Sequence, residues 1–334
     1  MNPFNYQRAA NAADAVALLG SNGAFLAGGT NLVDHMRLGI RTPKQLVDIS
    51  GLPLNEITRN EDGVLHIGAL VRNSDMAAHP LVRQHLPFVT QALLAGASGQ
   101  LRNMATTGGN LLQRTRCVYF QDVTTPCNKR ERGTGCSAHE GFGRYNALFG
   151  ASGTCVAVHP SDLCVPLAAV DAVVVVQGRD YERRIAFADF HRLPGDTPDV
   201  DTNLAHGELI TALEIPPLQF AVNSAYRKVR DRASYSFALI SVAAALDVRD
   251  GVVQDVRMAL GGASHKPHRA LKAEAALKGK LATHEAFLAV ANAELADAKF
   301  GVANAFKVPM LRNTMVAVLS ELAQVTQPTQ GAQA

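Results

Sequence analysis

The first forty residues alternate between helical and strand patterns of apolar side chains. Residues 10–19 carry apolar side chains at helical spacing and end at Gly20, which predicts a short helix. The apolar run 24–27 stops at the glycine pair 28–29, and helical spacing resumes over 30–38. This order predicts a strand, a glycine turn and a helix.

Short elements of both kinds continue up to residue 221. The polar residues NSD at 73–75 predict a helix cap ahead of the apolar segment 87–97, which is itself helical in pattern. The segment VAVHPSDLCVPLAAVDAVVVVQG predicts strand, turn, helix and strand. Further strands are predicted at QLVDIS, LHIGAL and ELITALEIPP.

From Ser224 onward the strands become longer and are followed by helices. An antiparallel meander that turns at 249–251 is predicted for AYRKV, FALISVAAALDV and VQDVRMALGG. Helices are predicted at 271–278, 285–298 and 310–323. This change of pattern indicates a domain boundary near Ala221, and the polar end TQPTQGAQA is predicted to be a frayed tail.

Composition narrows the class of protein. The 334 residues are 47% apolar and 18% charged, which suits a globular chain of two or three domains. The net charge of +3 is mild and the basic residues are scattered, so nucleic acid is not an expected partner. No apolar run reaches the roughly 20 residues of a membrane span, and the first residues predict no export signal.

Two glycine-rich turns offer backbone N–H groups to an anion. AGGTN at 27–31 lies where a strand passes into a helix, and glycine lacks the Cβ atom that keeps a phosphate at a distance. TTGGN at 106–110 adds hydroxyl and amide donors. Neither turn has G-x-G-x-x-G or P-loop spacing, and a glycine pair before a helix is also typical of a plain turn. Two such turns together favour one large phosphate-bearing ligand.

Three polar residues further along the chain are candidates for the same ligand. Asp162, in HPSD, lies at a strand end, where its carboxylate either caps a helix or accepts hydrogen bonds from a ligand. Tyr226 and Lys228 alternate along a predicted strand and therefore point to one side of it. That side is placed to meet a ligand or its phosphates.

Four of the five cysteines follow the spacing C-x9-C-x8-C-x18-C, beginning at Cys117. Thiolates bind zinc and iron-sulfur clusters, and zinc sites usually contain a C-x2-4-C knuckle, which this spacing lacks. The wide spacing favours a cluster, and the excess of basic residues around it would offset the negative charge of the ligated cluster. Free thiols are the alternative. Cys164, in the apolar run LCVPLAAV, is predicted to be a core residue.

Five motifs, each present once, are distributed over nearly the whole chain: FLAGGTNL, IGALVRNSDM, LRNMATTGGNLLQRTRC, HPSDLCVPL and YRKVRDRASYSFALISVAAAL. In these motifs the chain resembles the FAD-binding medium subunit of the xanthine dehydrogenase family of molybdenum hydroxylases. The cysteine insert and the phrase YRKVRDRASY look closest to the FAD and [4Fe-4S] subunit of bacterial periplasmic aldehyde oxidoreductases.

This resemblance implies an α+β fold built in two parts. The first is a two-part FAD-binding module of the vanillyl-alcohol-oxidase (PCMH) type, and the second is a C-terminal α+β domain of the CO-dehydrogenase flavoprotein type. The implied boundaries are 1–221 for the module, about 1–55 and 56–221 for its subdomains, about 114–155 for a [4Fe-4S]-binding insert, 222–325 for the C-terminal domain and 326–334 for a flexible tail.

The resemblance also implies which residues hold the cofactors, and it assigns no catalytic residue to this chain. The implied cluster ligands are Cys117, Cys127, Cys136 and Cys155. The implied FAD-binding residues are Phe25, Leu26, Ala27, Gly28, Gly29, Thr30, Asn31, Leu32, Val33, Thr106, Gly109, Asn110, Gln113, Asp162 and Lys228.

The implied function is electron transfer in a heterotrimer. A large molybdenum-cofactor subunit would oxidise an aldehyde to a carboxylic acid, a small subunit would relay electrons through two [2Fe-2S] clusters, and this chain would pass them through FAD to an external acceptor. The alternatives are the medium subunit of a 4-hydroxybenzoyl-CoA-reductase-like enzyme and a zinc-stapled interaction subunit without redox activity. The implied location is the periplasm, reached through a signal on a partner, with the cytoplasm as alternative.

Overall fold

The structure is a computed structural model that describes residues 1–325, so the predicted tail 326–334 lies outside the described part. The strands form three sheets, of three, five and four strands. Within residues 1–325, no helix is long and apolar enough to cross a membrane.

The described elements are short in the first two-thirds of the chain and longer after it. The strands are β1 (Asn5–Arg8), β2 (Gly23–Leu26), β3 (Gln45–Asp48), β4 (Ile57–Arg59), β5 (Leu65–Gly68), β6 (Val173–Gln177), β7 (Glu182–Ala186), β8 (Leu209–Ile215), β9 (Ser224–Val229), β10 (Ile240–Arg249), β11 (Val252–Gly261) and β12 (His268–Arg269). The helices are α1 (Ala12–Leu18), α2 (Leu32–Arg37), α3 (Asn73–Ala78), α4 (Pro80–His85), α5 (Pro87–Ala95), α6 (Gly99–Arg102), α7 (Thr107–Leu111), α8 (Val118–Gln121), α9 (Cys164–Ala169), α10 (Phe187–Phe190), α11 (Leu271–Leu277), α12 (His284–Leu295) and α13 (Lys307–Val325).

The first sheet is parallel and has the order β1-β3-β2. Parallel neighbours need a crossover connection, and α1 and α2 provide the two crossovers. Val47 and Ala15 are fully buried in the core that β3 shares with α1. This arrangement fixes the predicted glycine turn at the carboxyl end of β2, directly before α2.

The second sheet is antiparallel and has the order β4-β5-β8-β6-β7. Its central strand β8 pairs with β5 although the whole cysteine insert lies between them in sequence. The insert spans residues 114–155. Of the helices and strands described in the structure, it contains one, the single-turn helix α8. The sheet and the helices around it form the largest core cluster, which includes Phe88, Phe190 and Leu213.

The third sheet is the predicted meander, in the order β12-β11-β10-β9, and it turns at Asp250 and Gly251 with φ of 52° and 74°. On β10, Val242 and Ala244 face α11–α13, whereas Ala243 and Ala245 pack into the core of the first half. Both faces of this strand are buried, which accounts for its apolar run from Val242 to Leu246.

Two local predictions were wrong. NSD at 73–75 does not precede a helix but begins α3, and the N-cap residue Arg72 makes no side-chain capping bond. The segment VAV at 156–158 is not a strand. It lies in an irregular stretch held by single backbone bonds, such as that from the Ala147 N–H to the Val156 carbonyl at 2.8 Å.

Candidate functional site

The two glycine turns are in direct contact. A Cβ atom added to Gly28 would lie 1.8 Å from the carbonyl oxygen of Met104, so the two main chains touch at this point. Gly29 has a φ of +72°, in the left-handed region that favours glycine. The segments 27–31 and 104–110 therefore form one continuous wall.

The second turn is stabilised by its own side chains. The Thr106 hydroxyl accepts a hydrogen bond from the Gly109 N–H at 3.3 Å and so caps α7. Asn110 is buried, and its Oδ1 accepts bonds from Ser161 Oγ at 2.6 Å and from Gln113 Nε2 at 2.8 Å. These bonds connect the turn to the HPSD segment.

Two joined cavities, together called the cofactor cleft, run along this wall. One has a volume of about 650 Å³ and lies between the glycine turns and the segment that leads into β8. The other has a volume of about 190 Å³ and extends to Asp162 and Lys228. Thr30 and Asn31 line both. All of the predicted FAD-binding residues line the cleft except Leu26 and Val33.

Asp162 accepts hydrogen bonds from both predicted residues of β9. Its Oδ1 accepts from the Tyr226 hydroxyl at 2.5 Å and its Oδ2 from Lys228 Nζ at 2.8 Å. Burial and the neighbouring carboxylate raise the pKa of Tyr226 well above its ordinary value, so the phenol stays protonated. The alternative that Asp162 caps a helix is wrong, since the Ser161 hydroxyl accepts from the first N–H of α9, that of Cys164.

Arg116 was missed by sequence reasoning, although it immediately precedes the first cysteine of the insert. Its Nη2 donates to Asn31 Oδ1 at 2.6 Å, and its guanidinium lies 4.8 Å from the ring centroid of Phe237. Its Nε is buried and has no hydrogen-bond partner among the described residues. Burial lowers the pKa of this guanidinium. Arg116 therefore joins the first glycine turn to the cysteine insert.

The four spaced cysteines line one small pocket. Cys127 and Cys136 face each other across an isolated antiparallel bridge, and among the described residues no cysteine forms a disulfide. Burial, with the Cys136 and Cys127 sulfurs adding to it, raises the pKa of Cys155 to about 11, and burial also raises the pKa of Cys117. Four thiols that line one pocket are the donor set of a thiolate-ligated metal group, and binding such a group would displace the thiol protons.

A buried ion cluster holds the insert against both halves of the chain. Lys129 pairs with Asp201, and its Nζ also donates to the Pro198 carbonyl at 3.1 Å and contacts His265 Nε2 at 2.8 Å. The Arg114 Nε donates to the same carboxylate at 2.6 Å. Burial opposes ionisation, but the two cations lower the pKa of Asp201 to about 2. The spacing of these residues in the sequence does not predict the ion cluster.

Cys164 is fully buried, which confirms its prediction as a core residue. Its sulfur and one ring nitrogen each of His159 and His191 lie within 4.8 Å of one another. His159 Nδ1 accepts the Ser161 N–H at 3.3 Å, which places the ring proton on Nε2.

Comparisons with known proteins agree along the whole length. Residues 2–218 match the family model "FAD binding domain in molybdopterin dehydrogenase", and residues 224–322 match "CO dehydrogenase flavoprotein C-terminal domain". The chain is 48% identical to the aldehyde oxidoreductase FAD-binding subunit PaoB of Escherichia coli, covering 96% of this chain and 98% of that one. It is 29% identical to the glyceraldehyde dehydrogenase medium chain of Sulfolobus acidocaldarius, covering 83% and 82%.

Solved structures show the same fold. A carbon monoxide dehydrogenase chain from Hydrogenophaga pseudoflava superposes with a TM-score of 0.74 at 25% identity, covering 97% of this chain and 98% of that one. A quinoline 2-oxidoreductase chain from Pseudomonas putida 86 superposes with a TM-score of 0.75 at 20% identity, covering the same shares.

Proposed function

Because this chain belongs to the family of FAD-binding subunits of the molybdenum hydroxylases, of the aldehyde oxidoreductase type, we propose a specific place for it in such an enzyme. It is the FAD- and [4Fe-4S]-containing electron-transfer subunit of a heterotrimer that oxidises aldehydes to carboxylic acids. The observation that carries this proposal is the adjacency of two sites. Arg116 binds Asn31 in the cofactor cleft, and the next residue, Cys117, lines the four-cysteine pocket.

In the cofactor cleft the chain binds and orients FAD. The two glycine turns line this cleft, and their N–H groups would donate to the diphosphate. The Asp162 carboxylate would accept from hydroxyl groups of the cofactor, and the bond from Lys228 Nζ at 2.8 Å positions that carboxylate. When bound, FAD accepts electrons one at a time and releases them in pairs. No side chain of this subunit is required as an acid or a base.

In the insert, Cys117, Cys127, Cys136 and Cys155 hold the [4Fe-4S] cluster as thiolates. Lys129 lies between the second and third ligands in sequence, lines their pocket and pairs with Asp201. A neighbouring positive charge lowers the cost of ligating four thiolates in a buried place. The domain division proposed with this function is the one given above, with the insert at about 114–155 inside the module 1–221.

The other two chains supply the rest of the reaction. The large subunit carries the molybdenum cofactor and the small subunit carries two [2Fe-2S] clusters, so electrons reach FAD from the small subunit and leave to an external acceptor. The complex lies in the periplasm and is exported folded through a signal on a partner chain, with the cytoplasm as alternative. The 48% identity to an aldehyde oxidoreductase subunit supports the aldehyde as substrate class.

Purification of the complex from its native host tests these proposals together. We expect three chains that co-elute, flavin absorption bands, and molybdenum and iron but no zinc by metal analysis. Zinc in place of iron at the four cysteines would contradict the cluster. Turnover of acyl-CoA thioesters but not of aromatic aldehydes would replace the aldehyde assignment with the reductase alternative.

A further inference from the structure

A third cavity, called the outer cavity, adjoins the cofactor cleft and has a volume of about 370 Å³. The residues that line both the outer cavity and the cleft are Arg116, Pro160, Asp162, Tyr235, Ser236 and Phe237. Of the predicted FAD-binding residues, Asp162 alone lines it. The outer cavity is therefore space beside the FAD site rather than part of it. Its walls include Arg116, Val118, Phe142, Tyr145, Tyr235 and Phe237.

Three segments that are distant in sequence form most of this cavity. One wall belongs to the cysteine insert and carries Phe142 and Tyr145, another is the connection between β9 and β10, and the stretch 157–162 lies between them in sequence. Asp231 ties the walls together, because it accepts from Arg144 Nη2 at 2.5 Å and from the Tyr145 hydroxyl at 2.7 Å. The insert therefore contributes one wall of the outer cavity.

The lining of the cavity is aromatic and cationic. Phe142, Tyr235 and Phe237 are 53%, 55% and 42% exposed, which is high for large apolar rings. Arg116 lies over the Phe237 ring, and the Arg232 guanidinium lies 5.8 Å from the centroid of Tyr235. Arg116 also has an unpartnered buried Nε, a donor that a ligand carbonyl would satisfy. Such a lining suits a planar conjugated molecule with carbonyl oxygens.

We propose that the outer cavity binds the external electron acceptor, and that this acceptor is a quinone of one or two rings. The inference rests on the function proposed above. Aldehyde and water give the carboxylic acid, two electrons and two protons, and the quinone takes up both electrons and both protons to leave as the hydroquinone. A volume of 370 Å³ lies near the lower end of the range of about 300–1,000 Å³ for small-molecule pockets. It holds such a ring system but not a whole nicotinamide dinucleotide.

Two opposite changes in the cavity wall test this site in the purified heterotrimer. Phe142→Ala removes an aromatic wall, and Val118→Trp fills the space from a residue that is 47% exposed. Phe300→Ala is the matched control, because Phe300 is 54% exposed and is not among the residues that line the outer cavity. The probe is 1,4-naphthoquinone-2-sulfonate, whose binding to the oxidised complex is measured by calorimetry without aldehyde. Flavin and iron contents are determined for each variant.

For Phe142→Ala we expect the Kd and the KM for the naphthoquinone to rise about tenfold, with a much smaller change in kcat. Val118→Trp should abolish binding, and Phe300→Ala should change neither constant. Ferricyanide, an acceptor that needs no pocket, reports separately on the function proposed above. If wild-type complex fails to oxidise aldehydes with ferricyanide, the proposed function fails. If it succeeds, then equal naphthoquinone constants in all variants, or reduction of a protein acceptor or of NAD instead of the quinone, overturn the outer-cavity site.

Discussion

The main chain of Gly28 rests against the main chain of Met104. The space that a Cβ atom would need at Gly28 is occupied by the Met104 carbonyl oxygen, 1.8 Å away. Neither group belongs to a flexible side chain, so neither can yield without moving a whole turn. The contact holds the first glycine turn against the second and sets the spacing of the wall of the cofactor cleft.

Replacing Gly28 by alanine should therefore separate the two turns. We expect a loss of stability of about 1–3 kcal/mol and a clear drop in the ratio of flavin to protein. Gly51→Ala is the control, since within residues 1–325 an added Cβ at Gly51 meets nothing within 4 Å. Absorbance of bound flavin and thermal unfolding of the purified complex measure both effects. Full flavin occupancy in Gly28→Ala would contradict the role of this contact.

Asp162→Asn should weaken FAD binding and destabilise the cleft. The Lys228 side chain is 4% exposed and would keep its charge in a buried place without an anionic partner, which costs about 3–5 kcal/mol. Asp180→Asn is the control, and because Asp180 is exposed it should change neither FAD binding nor stability. The measurement is the Kd for FAD of deflavinated complex, followed by flavin fluorescence. An unchanged Kd would show that the carboxylate does not hold the cofactor.

Cys155→Ser should lower the iron content and remove the signal of the reduced cluster in electron paramagnetic resonance. The reason is that a serine hydroxyl is a poorer ligand for iron than a thiolate in a cluster site. Cys164→Ala is the matched control, because Cys164 is equally buried but lies outside the four-cysteine pocket. Metal analysis of both variants gives the iron per chain. Loss of iron from the control alone would contradict the assigned ligand set.

Asp201→Asn should destabilise the chain at neutral pH, by about 3–5 kcal/mol, because Lys129 is 2% exposed and loses its counter-charge. The pKa of Asp201 falls from 3.8 to about 2 on folding. The ionised carboxylate therefore stabilises the folded chain above about pH 4, and this stabilisation is lost as the pH falls towards 2.

The difference in Tm between wild type and Asp201→Asn should accordingly shrink as the pH falls through that interval. The increase in flavin fluorescence on heating is used to monitor the unfolding. A difference that stays constant from pH 7 to pH 2 would show that the carboxylate is not ionised in the folded chain.

The sequence predicted the parts of this molecule that have a local signal. The fold class is confirmed, and the meander of β9–β11 was predicted because two-sided burial leaves long apolar runs. The glycine turns were found because glycine pairs mark close approaches of the main chain. Strand β1, with four exposed residues, has no apolar pattern and is held by pairing with β3 alone.

Long-range polar contacts were not predictable in the same way. Asp162 was singled out, but its bonds to Tyr226 and Lys228 depend on how the two halves pack. Arg116 was counted among basic residues that offset a cluster, and its contact with Asn31 depends on where the irregular insert folds back. Lys129, Asp201 and His265 come from three separate segments that no spacing rule connects.

Strand β10 packs against both halves of the chain. Its alanines 243 and 245 face the core of the first half, and its larger aliphatic side chains face the core of the second half. Small side chains let the neighbouring core lie close against the sheet. Moving one half of the chain against the other would separate Ala243 and Ala245 from the core they contact, so the strand that joins the two halves also resists their separation.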